Sequence, residues 1–443
     1  MIRRLYRSSR FAVLFNLHDE KAFGLSVMLA SSTIGNVISW ITGSLFYTTF
    51  LMMNDIDLVN IGIITFVPYI ANCFSIFCPS ILERFPRRKW ILAAGRAGYY
   101  TLNLLAITIM PMLVKDQSAK IIWFVVLTFL ANIVSALFVG GYSVWHLKFI
   151  PNEIRAEYFA TNSMVASFIG CGAALASGLI ADALSASPFK NTIVIMFRFI
   201  AYGLGLLEVW AFTRPVEYPY EKSADKPRLR DIITKPFSHK KFVLTIMIVF
   251  LWTFFANVPA GALDYYLINN VGVQYTFIYV INMCYPFFLM FLMPFWNKQL
   301  HKWGWFKTFA FTAIAHFPTT LLYSCVTTDT YLWALPTLRL IQHFLGVGMN
   351  TAYSNLAFIN MPTTDQTNYI SFNTVCSNFA AFLGMLCGTT FISTFPDIMV
   401  RIAGMEFINV QMLLWVQSFG QLAVPLLLLA ILPKIQPDAA ELR

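Results

Sequence analysis

The side chains able to do chemistry in this sequence lie inside long apolar runs. There each polar group is costly unless it meets a partner or faces a wet cavity, so it reads as functional by default. Asn36 and Trp40 are four residues apart; Asn132, Ser135 and Tyr142 recur at three and seven; Asn257 and Asp264 are seven apart; Arg339, His343 and Asn350 share one helical stripe. Asn72, Asn282, Tyr285 and Asn378 stand in other runs. Amides and hydroxyls hydrogen-bond a polar solute, a guanidinium holds an anion or a hydroxyl-rich molecule, and the His343 imidazole can titrate near neutral pH. Trp40, Trp145 and Trp252 suit stacking on a sugar ring, and equally suit packing or a lipid interface. The expected binding set is Asn36, Trp40, Asn72, Asn132, Ser135, Trp252, Asn257, Asn282, Arg339, His343 and Asn350, with Asp264 and His343 as sites for a coupling ion.

This chemistry is recognition rather than bond breaking. H-E-x-x-H, G-x-S-x-G and paired carboxylates within the apolar runs are all missing, so no enzyme is expected. The seven cysteines fall in apolar runs without a C-x-x-C pair and read as packing residues, and no metal or cofactor is called for.

The elements that must position these residues follow from composition. Only 12% of the 443 residues are charged, against about 25% in a soluble domain, while 58% are hydrophobic, 42 are Phe and the mean hydropathy is +0.65. Lipid must cover the surplus apolar surface. Runs long enough to span occur at 24–50, 58–82, 90–113, 121–147, 159–184, 191–212, 242–268, 273–296, 306–326, 331–358, 370–394 and 407–432. They predict an all-α integral membrane protein of twelve transmembrane helices. Residues 1–23 form an N-terminal segment, read as a short amphipathic helix rather than a cleaved signal. Then come a six-helix bundle over 24–212, a central loop over 213–241, a second six-helix bundle over 242–432 and a tail over 433–443.

Charge gives the orientation. With the N-terminus inside, the inner connections hold 24 Lys and Arg and the outer ones only Lys115, Lys120, Lys190 and Arg401. Both termini and the central loop are therefore expected in the cytoplasm, at the cell membrane. The net charge of +10 suits an anionic inner leaflet, so the expected partners are the lipid bilayer, a small-molecule substrate and a coupling proton or sodium ion, with no nucleic acid and a monomeric chain.

The two halves repeat. Shifted by 211 residues, Tyr142, Ser143, Pro151, Tyr158, Asn162 and Phe168 meet Tyr353, Ser354, Pro362, Tyr369, Asn373 and Phe379; shifted by 215, Pro79 and Trp90 meet Pro294 and Trp305. A duplicated six-helix unit is a common way to build a transporter.

Between the second and third runs, Glu83, Arg84, Phe85, Pro86, Arg87, Arg88 and Lys89 resemble the acidic-then-basic loop signature, G-x-L-x-D-R-x-G-R-R-K, of the major facilitator superfamily. Proline fills both glycine slots, and the second copy at Lys298 to Lys307 keeps only basic character. Helix number, long central loop and duplicated halves extend the resemblance over the whole chain. It implies two pseudo-symmetric six-helix bundles, an inward gate held by Glu83, Arg84, Arg87 and Arg88, and a central cavity lined by helices one, four, seven and ten, which carry the polar stripes. Arg339 is expected in that cavity, Arg198 in a structural pair with Glu208 or Asp264, and Arg96 snorkelling to the inner end. The fifth helix lacks the G-x3-G-P-x2-G-G pattern of drug antiporters. The leading expectation is a secondary or facilitative transporter of a small polar solute such as a sugar or glycoside. An exporter of amphipathic compounds is the alternative, ahead of a receptor or intramembrane enzyme.

Overall fold

A computed structural model of the chain describes residues 20–82, 85, 87–149, 155–217, 229–362, 366–402 and 404–436. The predicted helices form where the apolar runs stand, because backbone amides in lipid have no partner but their own helix. The first helix is Glu20–Thr42 continued by Ser44–Met52; the second is Leu58–Cys73, a tight turn at Phe74–Phe77 and Cys78–Leu82. Lys89–Tyr100, a wide turn at Thr101–Ala106 and Ile107–Leu113 make the third, followed by Gln117–Phe149, Arg155–Ala183 and Lys190–Phe212.

In the second half a short helix, Leu229–Phe237, precedes the seventh, Lys240–Asn257 with Ala262–Tyr265 and Tyr266–Asn270. The run Tyr275–Tyr323 has 49 residues, about 70 Å at the helical rise, which is more than twice a bilayer core. It breaks at Gly304, whose φ of 74° and ψ of 169° belong to a region that only glycine enters freely, and so supplies the eighth and ninth helices. Tyr331–Ile359, Gln366–Thr394 and Asn409–Ile435 complete the set, with a hairpin of Met399–Ile402 and Met405–Ile408 before the last.

Nine described helices qualify as spans by length and hydropathy. Dividing Tyr275–Tyr323 at Gly304 adds one crossing, and the run from Lys89 to Leu113 and the polar-striped Tyr331–Ile359 bring the described residues to the expected twelve. The fold is that of an all-α integral membrane protein.

Two compact units divide the chain: Met1–Asp55 with Phe74–Lys226, and Ile56–Cys73 with Pro227–Arg443. The first has a core of Leu25, Met28, Leu82, Leu92, Trp145, Tyr158 and Phe212. Its fourth helix turns Ile122, Trp123, Val126 and Leu130 outward, an apolar stripe that suits acyl chains. In the second unit one core gathers around Trp252, Phe306 and Phe309, another around Tyr266, Tyr323, Leu338 and Leu413. Here Ile56–Cys73 packs on the eleventh helix, Phe66 lying edge-on to Phe382 with ring centres 5.2 Å apart and Cys73 meeting the Val375 carbonyl. Exposed Trp90 and Trp210 in the first unit, and Trp303, Trp305 and Trp333 in the second, lie near helix ends, as interfacial tryptophans do.

Candidate functional site

In the first unit the first and fifth helices approach at Gly170, where an added β-carbon would lie 2.9 Å from the Trp40 ring and 3.2 Å from Asn36 Cβ. The absence of a side chain on Gly170 thus seats both predicted residues against the fifth helix. Asn36 Nδ2 donates to the Ser32 carbonyl at 3.1 Å, and Asn162 Nδ2 donates to Ser32 Oγ at 3.0 Å. Asn132 donates to the Thr128 carbonyl one turn back, at 2.8 Å, and Ser135 is half-buried on the same helix. In both asparagines the amide nitrogen donates within its own helix, which leaves Oδ1 as an acceptor.

The second unit brings together residues from the eighth and tenth helices. His343 Nε2 lies 3.1 Å from the Ile281 carbonyl, its ring is 5.4 Å from that of Tyr285 and 6.3 Å from that of Phe288, and Asn350 Nδ2 donates to Tyr285 Oη at 3.1 Å. Asn282 stands beside this cluster in sequence; it and Asn72 are half-buried without a hydrogen bond to another described residue. Asn257 donates to the Thr253 carbonyl at 2.8 Å and accepts from Tyr69 Oη at 3.4 Å. Tyr69, on the second helix, belongs to none of the polar stripes, so spacing alone does not single it out. Asp264 is half-buried in the short helix Ala262–Tyr265.

Two expected ligands have packing partners. Trp252 is buried, edge-on to Phe309 with ring centres 5.0 Å apart and 6.4 Å from Tyr353. Arg339 donates to Tyr323 Oη at 3.1 Å and to Gln342 Oε1 at 3.3 Å, so its guanidinium turns toward the ninth helix, while His343 one turn on turns toward the eighth.

The basic residues of the first unit depart from expectation. Arg96 does not snorkel: its Nε donates to Glu208 Oε2 at 2.7 Å, and the same carboxylate accepts from Tyr100 Oη at 3.0 Å and from Ser31 Oγ. Arg198 pairs with neither Glu208 nor Asp264. It donates to Thr108 Oγ1 and the Asn103 carbonyl, both at 2.6 Å, and lies over the Phe50 ring at 4.5 Å. The signal for the first pair was depth. The third helix begins and the sixth ends on the same side of the unit, and Arg96 and Glu208 both lie within about 10 Å of those ends by helical rise.

Of the predicted gate, Glu83 and Arg84 lie outside the described residues. At Arg88 and Lys89 the main-chain amides both donate to Glu217 Oε1, and Lys89 Nζ reaches the Pro215 carbonyl at 3.0 Å. A carboxylate from the segment after the sixth helix therefore caps the positive end of the third. The repeat-matched Asn162 and Asn373 each keep a buried amide oxygen without a partner among the described residues, a pairing legible only through the repeat.

The sequence model of the Major Facilitator Superfamily matches residues 29–385. The chain belongs to this superfamily. Solved structures with the same fold include the nucleoside transporter NupG (12% identity, TM-score 0.63, covering 92% of this chain and 99% of that one) and the POT family transporter PepTSo (11%, 0.67, 93% and 98%). A third is the inward-open xylose transporter XylE from E. coli (12%, 0.62, 95% and 97%). Identities this low speak to fold alone. No curated protein sequence matches the chain. As a member of the superfamily it is a transporter, a multi-pass membrane protein that moves a solute rather than transforming one.

Proposed function

We propose that the protein carries a small, uncharged, oxygen-rich solute such as a sugar, glycoside or nucleoside across the cell membrane by alternating access of its two six-helix halves, 24–212 and 242–432. Both termini lie in the cytoplasm and the chain acts as a monomer. The observation that carries the reading is the unused hydrogen-bonding capacity at membrane depth. Asn36 and Asn132 spend their amide nitrogens on their own helices and keep acceptor oxygens, while Asn72 and Asn282 keep the whole amide. The His343, Tyr285 and Asn350 cluster adds aromatic faces with polar edges, which suit the CH faces and hydroxyls of a sugar ring. Solved relatives of the fold named for nucleoside and xylose transport support the class. Asp264 and His343 are the groups proposed for an accompanying proton or sodium ion, and Arg87 and Arg88 with Glu83 and Arg84 for the inward gate.

The test is a thermal-shift screen of the purified protein against sugars, nucleosides, amino acids, organic anions and lipophilic cations, since a ligand selective for the folded state raises Tm by mass action. Solutes that shift it go into proteoliposome uptake with imposed pH and sodium gradients. A shift and uptake confined to neutral hydrophilic solutes is expected; a response to amphipathic cations alone would replace this reading with the exporter.

A further inference from the structure

Arg96 is held at its Nε and over one face of its guanidinium. Its Nε donates to Glu208 at 2.7 Å, its guanidinium carbon lies 4.9 Å from the centre of the Tyr142 ring, and Tyr142 is itself anchored by its hydroxyl, which donates to the Leu92 carbonyl at 2.8 Å. Glu208 is fully buried and is held from behind by Tyr100 and Ser31. The Arg96 side chain nevertheless stays 22% exposed. Its Nη2 lies 3.9 Å from the place a β-carbon would take on Gly35, so the missing side chain there leaves room beside the terminal nitrogen. Among the described residues the Nε–Glu208 bond is the one hydrogen bond of good geometry that the guanidinium makes, with the Tyr100 hydroxyl also within its reach. A guanidinium carries five N–H groups, and Glu208 and Tyr100 do not use them all.

The charge of this site decides what it takes. Glu208 already offsets the guanidinium, so an incoming anion would add an unbalanced negative charge where water is scarce. A hydroxyl or carbonyl oxygen meets strongly polarised donors and brings no charge. We propose that Arg96 is a substrate-binding residue whose terminal amino groups donate to hydroxyl or carbonyl oxygens of an uncharged solute, with Glu208 as the positioning residue that fixes the fork and cancels its charge. This rests on the polar-solute transport reading above and adds to it a donor site on the third helix and a selection against acidic analogues.

The test uses 2,3-butanedione, which adds across the two terminal nitrogens of arginine, on the purified full-length protein, with modification at each arginine read by peptide mass spectrometry. Arg96 is expected to react as exposed Arg401 does, while buried Arg198 stays unmodified. Addition of neutral sugars, polyols or nucleosides should slow modification of Arg96 and leave Arg401 unchanged, and glucuronate and inorganic phosphate should not protect. An unreactive Arg96 overturns the open edge, whatever the protein transports. Protection by glucuronate or phosphate but by no neutral solute overturns the neutral class, protection by phosphatidylglycerol alone assigns the edge to a lipid headgroup, and protection by nothing overturns solute contact. Failure of the transport reading is seen separately, as absence of proteoliposome uptake for every solute. In Glu208→Gln the uncancelled guanidinium should shift relative protection about tenfold toward glucuronate; an unchanged preference overturns the role given to Glu208, and the wild-type measurements stand if this variant does not fold.

Discussion

Two cations within the helices of the first unit, Arg96 partly exposed and Arg198 buried, illustrate how differently one residue type is accommodated. Arg96 has a carboxylate partner, and Arg198, 2% exposed, is satisfied by a hydroxyl, a carbonyl and the faces of Tyr47 and Phe50. Removing one member of a buried ion pair strands the other, at a cost of about 3–5 kcal/mol. Glu208→Ala is therefore expected to lower Tm steeply in a dye-monitored unfolding experiment. Glu208→Gln keeps an acceptor for Arg96 and should lose much less. Equal Tm values for wild type and Glu208→Ala would refute the view that the pair ties the first, third and sixth helices together. Arg198→Met exchanges a desolvated cation for an apolar chain of similar length and is expected to lower Tm less than Glu208→Ala does in the same experiment.

Among the helices, glycine decides where the chain turns and where it packs. Gly304 holds a backbone conformation that costs any other residue about 1–3 kcal/mol, so Gly304→Ala should destabilise the junction of the eighth and ninth helices by that amount, measured as a lowered Tm. At Gly170 the constraint is steric. Gly170→Val would drive its methyl groups into Trp40 and Asn36 and force the first helix away from the fifth, so loss of monodisperse protein on size-exclusion chromatography is expected. Recovery of well-folded protein with native Tm would show that this helix pair tolerates wider spacing. The end of the third helix depends on charge instead: with Glu217 replaced by Gln, the amides of Arg88 and Lys89 keep a weaker acceptor.

For the whole molecule, the expected consequence is a separation between folding and transport. The amide nitrogens of Asn36 and Asn257 donate to their own helices, so Asn36→Ala and Asn257→Ala should leave Tm within about 2 °C of wild type while reducing proteoliposome uptake of a solute found in the screen. Unchanged uptake in both variants would remove these residues from the site. Arg339, with Tyr323 and Gln342 as partners, is expected to lose stability and uptake together on replacement by Ala.

The class of protein is legible in the residues alone. Apolar runs of spanning length admit only helices in lipid, the Lys and Arg imbalance sets an expected orientation, and the repeat with the basic loop at Arg87, Arg88 and Lys89 points to the superfamily that the family match establishes. Helical spacing also placed His343 and Asn350 on one stripe, and they meet Tyr285 together. Partnership between helices was beyond its reach. Periodicity gives the face on which a residue lies but not the neighbour that covers that face. Only tertiary packing decided that Arg96 takes Glu208, that Arg339 turns to the ninth helix while His343 turns to the eighth, that Trp252 is core, and that Ile56–Cys73 packs in the second unit. In lipid every apolar face is equally at home, so hydrophobicity does not choose among neighbours, and close fit at glycines together with the pairing of buried polar groups does.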